Sequence, residues 1–143
     1  MANLFWKSRN GTKALLDTPF RTEEEFEKTV FTTAELLKDI VPLTRQLRGG
    51  NKPGIPDIVG VDSAGAVCII EMKNTEVDAD IIPQVMKYAV WAETNPDSIK
   101  SLWLQSDEAQ EKTSPDWEHL QVRILIIAPS IHRTTLAVVN RIT

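Results

Sequence analysis

Phe26, Val30, Thr33 and Leu37 recur at intervals of three to four residues, and Thr22 with Glu25 precedes them at the spacing of a capping box. That pattern predicts a helix over residues 22–38. Downstream the period changes. Residues 55–61 and 66–73 are short apolar runs on either side of Asp62-Ser63-Ala64-Gly65, which reads as two strands around a turn. Residues 43–48 suggest a strand ahead of them, running into "GGNKPG". Asp80 is placed to cap a helix with Pro83 in its first turn, where a missing N–H costs little, and Asn95-Pro96 ends that helix. A short helix over "DSIKSLWLQ", a polar loop over 106–118, a buried strand at "QVRILIIA" and a last helix over 131–141 complete the chain. Near the start, Asn10-Gly11 within "LFWKSRNGTKALL" signals a tight turn between two short strands. The order is helix, three strands, helix, strand, helix, with no repeat or linker. We therefore expect one α/β domain over residues 1–143, with 1–21 as an N-terminal hairpin or extension.

The stretch "GIPDIVGVDSAGAVCIIEMKN" carries ionisable residues at both ends of a run suited to burial. If the chain reverses around Ala64, Val61 faces Val67, Val59 faces Ile69 and Asp57 faces Glu71. Alternation puts Lys73 on the face of Asp57 and Glu71, while Cys68, Ile70 and Met72 point the other way. Like charges directly opposed across a strand pair are destabilising, so something must offset them. A divalent cation suits two carboxylates and a backbone carbonyl; Lys73 is the other agent. A register one residue different would separate the pair, and an ordinary ion pair at an exposed strand end is the plainer reading of each residue alone.

Composition narrows the picture. With 42% hydrophobic and 25% charged residues in 143, the chain is ordinary for a globular domain. No apolar run approaches the roughly 20 residues that span a bilayer, and the N-terminus lacks the apolar core of a signal peptide. A soluble, cytoplasmic protein without a membrane partner is expected, with the lone Cys68 as a core residue. The net charge of −4 is unevenly spread. Residues 40–56 hold Arg45, Arg48 and Lys52 and no acid, and 119–143 hold Arg123, Arg133 and Arg141 and no acid. Residues 74–118 carry ten acids against Lys87, Lys100 and Lys112, and this acidic segment is expected to face away from any site for an anion. His119 and His132 have no cysteine partners for a structural zinc site, Ser130 lacks a nucleophile-elbow context, and "GGNKPG" lacks the spacing of a phosphate loop. The four tryptophans, Trp6, Trp91, Trp103 and Trp117, are read first as core or partner surface. The apolar ending "TTLAVVNRIT" suggests a subunit contact, hence a homodimer, or a continuation of the chain.

Pro56-Asp57, followed by Glu71-Met72-Lys73, resembles the motif of the PD-(D/E)XK nuclease superfamily. The order of elements is similar to its restriction-endonuclease-like αβββαβ core, a central mixed sheet flanked by helices. Gln84 and Tyr88, four apart on one helix face, resemble the Gln-xxx-Tyr pair of the RecB-like branch and of archaeal single-strand and mismatch endonucleases. The resemblance implies a metal-dependent nuclease of DNA repair, recombination or defence; a nuclease-fold module that binds nucleic acid or protein without cutting is the alternative. Asp57, Glu71 and the Met72 carbonyl would hold Mg²⁺ or Mn²⁺, with Lys73 beside them to orient the attacking water. Gln84 and Tyr88 would position a phosphate or that water. Glu23 corresponds to the acid of the family's first helix, with Glu27 as its rival. DNA is the implied partner, and Arg45, Arg48 and Lys52 at the cleft mouth, with Lys87 on the next helix, are the residues expected to bind it.

Overall fold

The structure, a computed structural model, describes residues 4–15, 18–33, 35–45, 56 and 58–142. Arg48, Lys52 and Asp57 lie outside the described residues. In chain order the elements are β1 (Leu4–Ser8), β2 (Gly11–Leu15), α1 (Glu23–Thr32), β3 (Ile40–Arg45), β4 (Ile58–Asp62), β5 (Val67–Met72), α2 (Ile81–Thr94), α3 (Pro96–Gln105), α4 (Asp107–Gln110), β6 (Val122–Ile127) and α5 (Arg133–Ile142). Strands β3 to β6 form one sheet in that order; β3, β4 and β5 are antiparallel and β6 runs parallel to β5. A parallel neighbour needs a crossover, which α2 to α4 provide. The expected αβββαβ core is the core observed.

The predicted register holds through the last described pair of the hairpin. Val61 faces Val67, Val59 faces Ile69 and Ile58 faces Ile70. Period-two alternation then divides the apolar residues between two layers. Ile58, Ile70 and Met72 pack with Phe26 and Val30 of α1. Val59, Val67 and Ile69 pack with Ala92 of α2 and Ile99 of α3. Both faces of β5 are covered, and all six of its residues are buried. Cys68 is buried with them, and burial pushes its thiol pKa up to about 11.

Several boundaries differ from the sequence reading, each for a local reason. Thr22 does cap α1, its side chain accepting from the Glu25 amide at 3.0 Å, but Glu25 reaches back to the Arg21 amide rather than that of Thr22. The helix ends at Thr32, not residue 38. Thr29, Thr32 and Thr33 turn their hydroxyls onto carbonyls four residues back, which weakens helix continuation. Leu37 reaches the same core from a turn. Strand β3 begins three residues earlier than expected because it tolerates Pro42: it is an edge strand, and its ladder shifts between Pro42 and Thr44. Asp80 stands at the α2 cap position without a side-chain capping bond; Asp78 accepts from the Asp80 amide instead. The polar segment after residue 106 contains the short α4, capped by Ser106. Strand β6 is half-buried, not buried, because it is the other sheet edge. The first hairpin turns through Arg9 and Asn10, with Gly11 at φ +122°, one residue off the expected Asn-Gly turn.

The turn between β4 and β5 is held by Asp62. One carboxylate oxygen accepts from the amides of Ala64 and Ala66, both at 2.9 Å, and the other accepts from Arg123 on β6 at 2.6 Å. Arg123, counted in a basic segment by sequence, is thereby committed to the frame. Burial alone raises the Asp62 pKa, but the Arg123 guanidinium and the two amides outweigh it and hold the carboxyl below the usual range. A lowered folded pKa gives stability above the unfolded carboxylate range and loses it as pH falls through the folded value. Asp62→Asn should therefore cost about 1–3 kcal/mol at neutral pH. In urea titrations at several pH values, the gap from wild type should close below pH ~4.

Gly60 lies where β3 crosses β4. A Cβ there would sit 2.6 Å from Ile40 Cγ2 and 2.9 Å from the Val41 carbonyl oxygen, and the latter is backbone that cannot swing aside. Gly60→Ala should lower stability by about 1–3 kcal/mol, measured by denaturant unfolding.

Candidate active site

Glu71 is the centre of the site because β5 is a central strand and alternation turns this residue toward α2. Its side chain is 1% exposed. Lys73, just past the strand, brings Nζ to 3.4 Å from Glu71 Oε1. From α2, Gln84 donates Nε2–H to the same oxygen at 3.3 Å and to the Tyr88 hydroxyl at 2.9 Å. The helical interval of four aligns Gln84 and Tyr88, and the packing of α2 on β5 and β6 sets them over Glu71. Four predicted site residues, Glu71, Lys73, Gln84 and Tyr88, thus form one connected group. Both hydrogens of the Gln84 amide are used within it, so the Tyr88 hydroxyl accepts and keeps its own hydrogen to donate.

A cleft of about 210 Å³ opens beside this group, lined by Lys73, Gln84 and the intervening loop, including Glu76, Asp78 and Asp80. The volume admits several waters, at about 30 Å³ each. The acids correct the expectation that the whole segment from 74 faces away. The loop is drawn back across the sheet end because Val77 pairs with the segment after β6: its amide donates to Ser130, its carbonyl accepts from His132, and it bridges Ile131. Glu76 accepts from the Ser130 hydroxyl at 3.2 Å. Sequence reasoning also passed over Asn74, whose amide donates to the Phe20 carbonyl at 2.7 Å and ties the site loop to the segment before α1. Its position directly after the Glu-Met-Lys run was the available signal.

The remaining candidates are less central. Met72 ends β5 with its side chain in the α1 layer. On α1, Glu27 is 2% exposed whereas Glu23 is half-buried at the helix start, so the rival is the buried acid. Lys87 is exposed on α2. Arg45 ends β3, and Arg48, Lys52 and Asp57 are not among the described residues. The larger concavity, about 580 Å³, lies away from this group between α2, β6 and α5, and its lining is mainly apolar, including Ile82, Val85, Ile124, Ile126, Leu136 and Val139. Among the described residues no three His, Cys, Asp or Glu side chains group as metal ligands. No described helix is long and apolar enough to cross a membrane.

No family model and no curated protein matches the chain. Solved structures do. A repair endonuclease from Pyrococcus abyssi superposes with a TM-score of 0.52 at 20% identity, over 91% of this chain and 47% of the other. The fold is shared with a repair endonuclease. It is the fold that the PD-(D/E)XK resemblance implied. EndoMS in apo form is similar at a TM-score of 0.48 and 15% identity, covering 91% of this chain and 46% of that one. An EndoMS complex with double-stranded DNA gives 0.45 and 18%, with 91% and 47% covered. The chain spans about half the length of the solved structures it matches.

A carboxylate this buried is costly without its partners. Lys73→Ala should lower the melting temperature in EDTA, by an amount equivalent to about 1 kcal/mol for a cation that is itself partly exposed. Glu71→Gln removes the desolvated charge and should leave the melting temperature equal or higher. Equal losses from both substitutions would mean that the charge itself stabilises the fold.

Proposed function

We propose that the chain is a metal-dependent nuclease that hydrolyses DNA phosphodiester bonds, with Asp57, Glu71, Lys73, Gln84 and Tyr88 as its working residues. The observation that carries this reading is the buried Glu71 carboxylate, with Lys73 and Gln84 converging on one of its oxygens beside an open cleft. A fold shared with a repair endonuclease supports it.

Glu71, the Met72 carbonyl and Asp57 form an all-oxygen donor set, which suits a hard cation such as Mg²⁺ or Mn²⁺. Asp57 is next in sequence before β4, and the pairing read from the sequence, one step beyond the described Ile58–Ile70 pair, is what sets it against Glu71 in this proposal. When bound, the ion supplies Lewis acidity toward the phosphate. Lys73 then has two tasks. Its ammonium hydrogens hold the attacking water at the Glu71 edge, and its charge offsets negative charge building on the phosphate oxygens. Gln84 is a positioning residue: its two donated bonds fix Glu71 Oε1 and the Tyr88 oxygen relative to each other. Tyr88 offers its remaining hydrogen to a phosphate oxygen. An acid on α1, Glu23 or the more buried Glu27, would add to the residues that hold the ion. Arg45, Arg48, Lys52 and Lys87 supply backbone contacts with DNA.

The test is cleavage of labelled single-stranded, duplex and branched DNA with Mg²⁺, Mn²⁺ or EDTA. Wild type should cut only with metal. Asp57→Asn and Glu71→Gln should lose cleavage and also lose the rise in melting temperature that metal gives wild type. Lys73→Ala should keep most of that rise and lose cleavage by about 10²-fold or more. Wild type that cuts no substrate and is not stabilised by metal would instead be a binding module of this fold.

A further inference from the structure

Among the described residues, the β1–β2 hairpin stands apart from the packed core of the chain. All ten strand residues are exposed, and none joins the apolar clusters of the core. Leu4, Phe5, Trp6 and Leu15 are 64%, 65%, 62% and 52% exposed. Two strands alone are at best marginally stable in water, so such a ribbon needs something to cover it. The other tryptophans are packed: Trp103 is buried edge-on to Trp117 at 6.4 Å, and Trp91 lies against the α2–α3 layer. Trp6 is the exception.

Charge decides what covers the hairpin. Residues 4–15 contain Lys7, Arg9 and Lys13 and no acid, in a chain of net charge −4. The register sets Trp6 opposite Lys13, and alternation sets Phe5 on the other face with Lys7, while Arg9 occupies the turn. Each face therefore presents a ring beside a cation. A second copy of the hairpin would bring cations against cations, and a lipid surface would engage one face only. Exposed rings flanked by cations match unpaired bases flanked by phosphates.

We propose that this hairpin is a binding arm for unpaired DNA, with Trp6 and Phe5 stacking on bases and Lys7, Arg9 and Lys13 meeting phosphates. The choice of DNA rests on the nuclease reading of the Glu71 site; the arm itself does not use that site. In EDTA, where no cleavage occurs, fluorescence anisotropy with the full chain should show labelled oligothymidylate binding more tightly than a duplex of equal length. Trp6→Ala should weaken single-strand binding about tenfold, and Trp6→Phe should retain most of it. The triple substitution Lys7→Ala, Arg9→Ala, Lys13→Ala should reduce the slope of log K against log salt by about 2. The melting temperature should be unchanged in all of these. Absent single-strand binding, or binding indifferent to Trp6→Ala, overturns the proposal. So does a Trp6→Ala effect confined to splitting a dimer in sedimentation, or to loss of binding to anionic vesicles. Trp6-sensitive binding without metal-dependent cleavage leaves the arm standing and removes the nuclease reading; cleavage with Trp6-insensitive binding does the reverse.

Discussion

A carboxylate buried to 1% exposure on a central strand is costly to desolvate, and the structure around it offsets that cost. Glu71 keeps its place because the four residues before it in β5 are apolar or sulfur-bearing and fully covered on both faces, which fixes the strand's depth and register. A one-residue slip would turn Glu71 into the apolar α1 layer and Ile70 and Met72 out of it. The strand cannot slip because both its neighbours grip it. β4 pairs with it on one side through a turn knotted by Asp62, and β6 pairs on the other while Arg123 reaches back to that same aspartate. The far ion pair at the turn thus secures the register that determines where Glu71 emerges.

From that constraint the site follows. Once β5 is fixed and α2 lies on its Glu71 side, a helical spacing of four is enough to bring Gln84 and Tyr88 over the carboxylate. Lys73 needs only to be two residues further along the chain, just past the strand end. Asp62 and Glu71 are both buried acids, but their surroundings divide the labour. Asp62 is saturated by two backbone amides and a guanidinium and serves the frame; Glu71 carries on one oxygen a lysine and an amide that line the neighbouring cleft.

Much of this was legible in the sequence because it depends on period and spacing. The β4–β5 register came from the turn residues and the matching apolar runs. The Glu71–Lys73 proximity came from strand alternation, and the Gln84–Tyr88 alignment from the helical repeat. What escaped depends on tertiary context. Pro42 reads as a breaker until β3 is known to be an edge strand. The half-burial of β6 reflects its place at the other edge, although its sequence is as apolar as that of β5. The threonine cluster that ends α1 competes through hydroxyl bonds to the helix carbonyls, which apolar periodicity does not register. The acidic loop lies at the cleft because Val77 pairs with residues more than fifty positions later, a contact no local pattern encodes. Arg123 looked like free basic surface until the fold set it beside Asp62.

The proposed chemistry requires Asp57 and Glu71 to share one cation site. Crystals grown with Mn²⁺, examined by anomalous diffraction, test it most directly. One strong manganese peak is expected, ligated by carboxylate oxygens of both Asp57 and Glu71, with the Met72 carbonyl completing the protein ligands. A structure with Asp57 on the opposite face of the sheet from Glu71, or with manganese bound elsewhere and none at Glu71, would contradict it.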